Sequence, residues 1–221
     1  MPRVNRGLVE NLVYHVLNRG NGKQKVFHRK HDYEAFIELM KKAKEMYSIR
    51  VYAYCLMPNH FHMVVMPLKS KELSNFMQWL MTSHVRRHHK RYDSSGHIWQ
   101  GRFKSFIVSN DNYLLTLLRY VETNPVRSNL AKSAKDWNWS SYRTRTSGRG
   151  LKILIDVPPL ELPKDWDKFV DQPLSEQDIA NLRRSVNRSS PYGPPEWQAQ
   201  ICRKLGLEST LRPKGRPKGK K

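Results

Sequence analysis

The stretch from residue 49 to residue 66 constrains the fold more than any other. It holds two extended apolar runs, 49–56 and 60–66, separated only by Met57-Pro58-Asn59. Proline ends the hydrogen-bonding ladder of the first run, and so short a turn leaves no room for a crossover, so the runs pair antiparallel as a hairpin. A lone hairpin is barely stable in water and needs more strands and covering helices. The flanking sequence supplies them. Residues 11–18, Asn-Leu-Val-Tyr-His-Val-Leu-Asn, alternate as a strand, and Arg19-Gly20-Asn21-Gly22 is turn chemistry. Asp32 is a candidate helix cap, after which Tyr33, Phe36, Ile37, Met40 and Tyr47 recur at helical spacing while Lys41, Lys42 and Lys44 face outward. Beyond the hairpin, Leu73, Phe76, Met77, Leu80 and Val85 predict a helix over 71–92, with Ser70 as its cap. A strand over 103–108 follows, then a helix over 111–123 that Pro125 stops. The order is a split βαβ arrangement: an α+β, ferredoxin-like βαββαβ antiparallel sheet with helices packed on one face and one extra helix.

Beyond Trp139 the character changes. Residues 1–145 read as the catalytic body and 146–173 as a proline-rich linker, interrupted at Pro158, Pro159, Pro163 and Pro173. A helical C-terminal extension is expected over 174–211. Its first helix, 175–186, opens on the capping pattern Ser175-Glu176-Gln177-Asp178, and its second, 195–205, ends at Gly206. The last ten residues, 212–221, carry six basic and no acidic side chains and read as a disordered tail that cannot build a core.

Forty Lys and Arg against 19 Asp and Glu give a formal net charge of +21, which repels itself unless an anionic partner neutralises it. A polyphosphate is the natural partner. A membrane is not expected, because the longest apolar run, 51–57, is far short of the roughly 20 residues that span a bilayer. The only cysteines, Cys55 and Cys202, stand far apart without CxxC spacing, which excludes a cysteine zinc site and fits a reducing cytoplasm.

Three groups of residues point to chemistry. His60 and His62, two apart on a strand, leave the same face about 7 Å apart and can converge on one metal ion, whereas Phe61 points into the core. His-x-His alone is a weak pattern. Tyr120 and Asn124, four apart, present a hydroxyl and an amide oxygen one above the other beside the apolar face of Leu114, Leu117, Leu118 and Val121. A half-buried packing tyrosine explains them equally well. Between residues 86 and 104 the basic Arg86, Arg87, Lys90, Arg91, Arg102 and Lys104 interleave with Tyr92, Trp99 and Phe103, a mix suited to tracking phosphates and stacking unpaired bases. His84 and His88 lack the glutamate of a zincin motif and read as a solvated or DNA-facing helix surface. In the tail, Gly215-Arg216-Pro217 is like an AT-hook core, whose Arg216 would enter a narrow minor groove.

Met57-Pro58-Asn59-His60-Phe61-His62, Gly96-His97-Ile98-Trp99-Gln100-Gly101-Arg102-Phe103 and Leu118-Arg119-Tyr120-Val121-Glu122-Thr123-Asn124-Pro125-Val126-Arg127 together resemble the REP-associated tyrosine transposases. These are bacterial relatives of the IS200/IS605 transposases among the HUH single-strand nucleases. The resemblance covers about residues 10–145. It implies a single-stranded DNA endonuclease and strand transferase acting at REP-type hairpins, with His60, His62 and Asn124 holding Mg²⁺ or Mn²⁺ and Tyr120 as the nucleophile. It implies a 5′-phosphotyrosine intermediate that keeps the bond energy, so that no nucleotide cofactor is needed. The expected setting is the bacterial cytoplasm, in association with the nucleoid, and a monomer is favoured over a homodimer. One departure stands out: Ser128-Asn129 replaces the usual Ala-Gly, and Asn tolerates the left-handed conformation that glycine would supply. Two alternatives remain: a non-catalytic nucleic-acid-binding module of RRM-like topology, and a metal-dependent hydrolase that uses water.

Overall fold

The computed structural model describes residues 8–148 and 153–212; the basic tail beyond Arg212, with Arg216, lies outside them. Four strands, β1 (Val13–Arg19), β2 (Ile49–Met57), β3 (His60–Pro67) and β4 (Lys104–Val108), form one sheet in the order β2-β3-β1-β4. Every neighbouring pair is antiparallel. With α1 (Lys30–Met46) and α2 (Glu72–Tyr92) as connections, this is the expected split βαβ topology. Alternation along the strands divides the side chains between two cores. Tyr14, Val16, Phe61, Met63 and Val65 face α1 and α2 and meet Phe36, Met40, Phe76 and Leu80.

The opposite face is covered as well, which corrects the expectation of a one-sided sheet. There α3 (Asn112–Glu122) lays Leu114, Leu117, Leu118 and Val121 against Tyr52, Cys55, Val64 and Phe106. A β-bulge between Val51 and Ala53 breaks the alternation in β2, so that Tyr52 and Ala53 both join this second core.

The stretch expected as a linker also belongs to the body. Ile155, Trp166 and Val170 are buried in the cores, and α6 (Trp166–Asp171) packs against α3. The chain beyond Arg127 also shields the sheet's outer edges, through Trp139, Asp156 and Tyr192, where unpaired strand groups would otherwise recruit other chains. Leu56 N–H donates to the Trp139 carbonyl (2.8 Å), and Val51 exchanges hydrogen bonds with Asp156. On the β4 side, Tyr192 N–H donates to the Ile107 carbonyl (2.8 Å) and Ser109 N–H to the Tyr192 carbonyl (2.9 Å). The proline-rich sequence hid this packing because its apolar side chains are spaced with neither a two- nor a 3.6-residue period.

The two helices of the extension, α7 (Glu176–Arg188) and α8 (Pro195–Leu205), lie where their caps placed them, with the Ser175 hydroxyl accepting from Asp178 N–H and Gly206 left-handed. At α1 the expected cap shifts. Asp32 is the helix's third residue, and its carboxylate reaches back to the N–H groups of His28 (2.8 Å) and Arg29 (2.9 Å). His84, expected on a solvated surface, is buried between Phe27, Phe36 and Trp99. Among the described residues no helix is long and apolar enough to cross a membrane.

Candidate active site

The turn before β3 is held from both sides. Gly20 N–H donates to the Asn59 carbonyl (2.7 Å), and Val26 and Phe27 donate to that of Pro58. A side chain at position 20 would place its Cβ 2.2 Å from the Gln24 carbonyl oxygen, so only glycine fits. The Asn59 side-chain amide donates to the Lys23 carbonyl (3.1 Å), which fixes which of its ends is oxygen. That oxygen, Oδ1, lies 2.7 Å from Nδ1 of His60. An amide oxygen only accepts, so His60 carries its proton on Nδ1 and keeps the Nε2 lone pair.

Two residues on, His62 occupies the middle of the sheet between Cys55 of β2 and Leu17 of β1. Its ring centroid is 5.0 Å from that of His60 and 6.1 Å from that of Tyr120, which meets it edge-on. Nδ1 of His62 is 2.9 Å from Nε2 of His15, a fully buried histidine on β1, and the two rings are parallel. His15 sits opposite Val64, so the pair spans the diagonal between strands.

Burial and then the Arg19 charge push the pKa of His60 down to about 4. Burial alone takes His15 down to about 3. His62 is held well below the usual range by burial, and then by His60, His15, Arg127 and Arg19. All three are therefore neutral imidazoles at neutral pH, the form in which histidine binds metal.

Tyr120 lies nearby in the last turn of α3, nine-tenths buried, and Asn124 opens the one-turn helix α4 (Asn124–Arg127). Pro125 therefore begins a further helical turn after a break at Thr123. Asn124 is buried; among the described residues its Oδ1 meets only the long 3.4 Å approach of the Ser128 hydroxyl. Asn129 adopts φ 53°, the left-handed conformation expected where relatives carry glycine. Among the described residues no three His, Cys, Asp or Glu side chains cluster as a metal site. Two neutral imidazole nitrogens and an amide oxygen such as that of Asn124 are the donor types that fit a divalent ion with further oxygen ligands.

With metal on Nε2, His62 would carry its proton on Nδ1 and donate it to His15. Such a partner orients a ligating imidazole, and its loss weakens binding. We expect His15→Phe to weaken Mn²⁺ binding by about ten- to a hundredfold in calorimetric titration of the DNA-free protein. Unchanged affinity would separate His15 from the site.

The basic residues divide. Arg86, Arg87 and Lys90 on α2, and Arg102 and Lys104 before and at the start of β4, are exposed. Arg86 and Arg102 flank a cleft of about 600 Å³ between α2 and the 96–103 loop, with Met77, Met81 and Phe103 in its lining. Arg91 is exposed too, but its Nε lies 3.4 Å from the Asp32 carboxylate. Trp99 is buried against Phe27, Phe61 and His84, so it is a packing residue.

The model of the family described as "Transposase IS200 like" matches residues 8–124, more than half of the chain. The protein belongs to the IS200-like transposase family. Over 142 residues this transposase is 28% identical to a protein of Haemophilus influenzae described as a REP-associated tyrosine transposase, covering 59% of the chain and 74% of that relative. Its fold also matches a solved REP-associated tyrosine transposase bound to a REP hairpin. There the TM-score is 0.56 at 17% identity, over 79% of this chain and all of the other.

Two residues of the transposase that the sequence did not single out position α3. Glu122, fully buried, accepts from the Ser141 hydroxyl (2.6 Å) and from Trp166 Nε1 (2.8 Å), and pairs with Arg145 at 3.1 Å. Arg145 also donates to the Tyr52 carbonyl of β2 (2.6 Å). The signal was present: a carboxylate four residues after Leu118 falls on an otherwise apolar helix face and must find a partner there.

Proposed function

We propose that this transposase cuts and rejoins single-stranded DNA at REP-like hairpins through a covalent bond between Tyr120 and a DNA 5′-phosphate. The observation that supports this most is the meeting of Tyr120 with His62, ring centroids 6.1 Å apart, beside a second imidazole with a free lone pair. The Tyr120 oxygen attacks the scissile phosphorus in line, the bond to the 3′ oxygen breaks, and the phenol proton ends on the released 3′-hydroxyl. The reaction is a balanced exchange of one ester for another, so rejoining needs no ATP. His60, His62 and Asn124 would hold Mg²⁺ or Mn²⁺, which when bound polarises the phosphate and stabilises the negative charge of the transition state. Asn59 and His15 orient the two imidazoles, and the packing of α3 fixes the height of Tyr120 above them. Exposed Arg86, Arg87, Lys90, Arg102 and Lys104 track the DNA backbone.

Incubation with a hairpin oligonucleotide bearing single-stranded flanks, with Mn²⁺ or with EDTA, tests the reading. Metal-dependent cleavage with a denaturation-resistant protein–DNA adduct is expected. Cleavage with no adduct would indicate hydrolysis by water, and tight binding without cleavage would indicate a non-catalytic module.

A further inference from the structure

Arg127 closes the same motif as Tyr120 and Asn124, and the mechanism above leaves it unused. Its guanidinium lies over the Tyr120 ring, 4.0 Å from the centroid. One nitrogen, Nη2, donates to the Tyr120 carbonyl (2.7 Å), and Nη1 donates to the Thr123 hydroxyl, which in turn donates to the Arg119 carbonyl (2.7 Å). The side chain is therefore fixed against the end of α3. Besides these two bonds the guanidinium engages the Tyr120 side chain, and with five N–H donors it keeps capacity for a further acceptor.

A partly buried guanidinium ordinarily sits beside a carboxylate, because an uncompensated charge away from water is costly. Among the described residues Arg127 forms no ion pair. The buried carboxylate of the region, Glu122, is committed to Arg145. Arg127 instead lines a cleft of about 530 Å³ with Thr123 and Lys132, and Asp171 on the rim is the acidic group facing it. Burial disfavours the Arg127 charge, and the Tyr120 side chain beside it partly offsets this. Arg127 and Lys132 thus share one cleft at the end of α3, with Asp171 in its lining.

We propose that Arg127, with Lys132 in the same cleft, forms a subsite for a phosphodiester of the DNA strand next to the scissile bond. The occupant is a backbone phosphate: it supplies the missing anion, and its oxygens match the planar fork of the guanidinium. Held there, the strand is anchored a short reach from Tyr120. The inference rests on the proposed DNA chemistry of this site but is tested by binding alone.

The experiment replaces single phosphates by neutral methylphosphonates, one position at a time along the cleaved strand, and measures the affinity of the wild-type protein and of Arg127→Gln. At one position within a few nucleotides of the cut, the wild type should lose about tenfold in affinity, the size of one charge-assisted contact. Arg127→Gln should already be weaker by that factor and lose nothing more at that position, while both respond alike elsewhere. If the two losses multiply at every position, Arg127 is structural and the inference fails. Arg127→Lys keeps the charge and guards against misfolding of the glutamine variant: it should remain sensitive at that position, and insensitivity would count against a phosphate contact. If the wild type forms no covalent adduct but the non-additivity is found, the subsite stands and the nucleophile assignment falls.

Discussion

Tyr120→Phe is expected to abolish the covalent adduct and to lower single-strand cleavage by on the order of 10⁴-fold or more, as removal of a nucleophile does elsewhere. DNA affinity should stay within about twofold, because the substitution removes one oxygen and no positive charge. The phenyl ring keeps its edge-on contact with His62 and its place under the Arg127 guanidinium. Single-turnover gels in the presence of Mn²⁺ give the cleavage rate, and a filter-binding titration gives the affinity. A variant that still forms adduct uses another tyrosine; one that still cleaves at the wild-type rate uses water.

The second large effect falls on stability. Glu122→Ala leaves Arg145 buried without its carboxylate and strips the Ser141 hydroxyl and the Trp166 indole of their acceptor. A buried pair adds little compared with a well-packed apolar replacement, but removing one partner costs about 3–5 kcal/mol. For a chain of this size that corresponds to a Tm lower by roughly 6–20 °C. Glu122→Gln keeps an oxygen that can accept from Ser141 or Trp166 and should fall less. Thermal unfolding of both variants checks this, and a shift below about 2 °C for the alanine variant would show that the cluster does not hold α3 to α5 (Ser141–Ser147) and α6. Because Glu122 lies between Tyr120 and Asn124 in the chain, loosening it should also slow cleavage.

How far the sequence reaches can be judged residue by residue. The hairpin around Pro58 and the helical spacing of Phe36, Met40, Phe76 and Leu80 were legible because each rests on a local rule: turn chemistry, or the period of an element. The caps at Ser175 and Gly206 were legible for the same reason. The second core was not. Trp166 and Val170 reach it through tertiary packing of a segment with no regular period, and the bulge at Tyr52 leaves no local trace. At the site, His60 and His62 announced a shared face, since alternation along a strand places them there. His15 carried a weaker signal: a histidine inside the apolar strand Val13–Arg19 must be bonded, but its partner depends on the order of strands. Trp99 misled in part, because an aromatic among basic residues suggests base stacking, whereas burial decides for packing.

The proposed chemistry requires the two imidazoles of β3 and the phenol in the last turn of α3 to share one position. Its most direct measurement is the location of the covalent link: the wild-type adduct formed with a hairpin oligonucleotide is digested with protease and nuclease, and the nucleotide-bearing peptide is sequenced by mass spectrometry. A nucleotide joined through its 5′-phosphate to Tyr120 is the expected result. A link to Tyr92, Tyr113 or any other residue, or a cleaved strand carrying a free 5′-phosphate and no peptide, would contradict it.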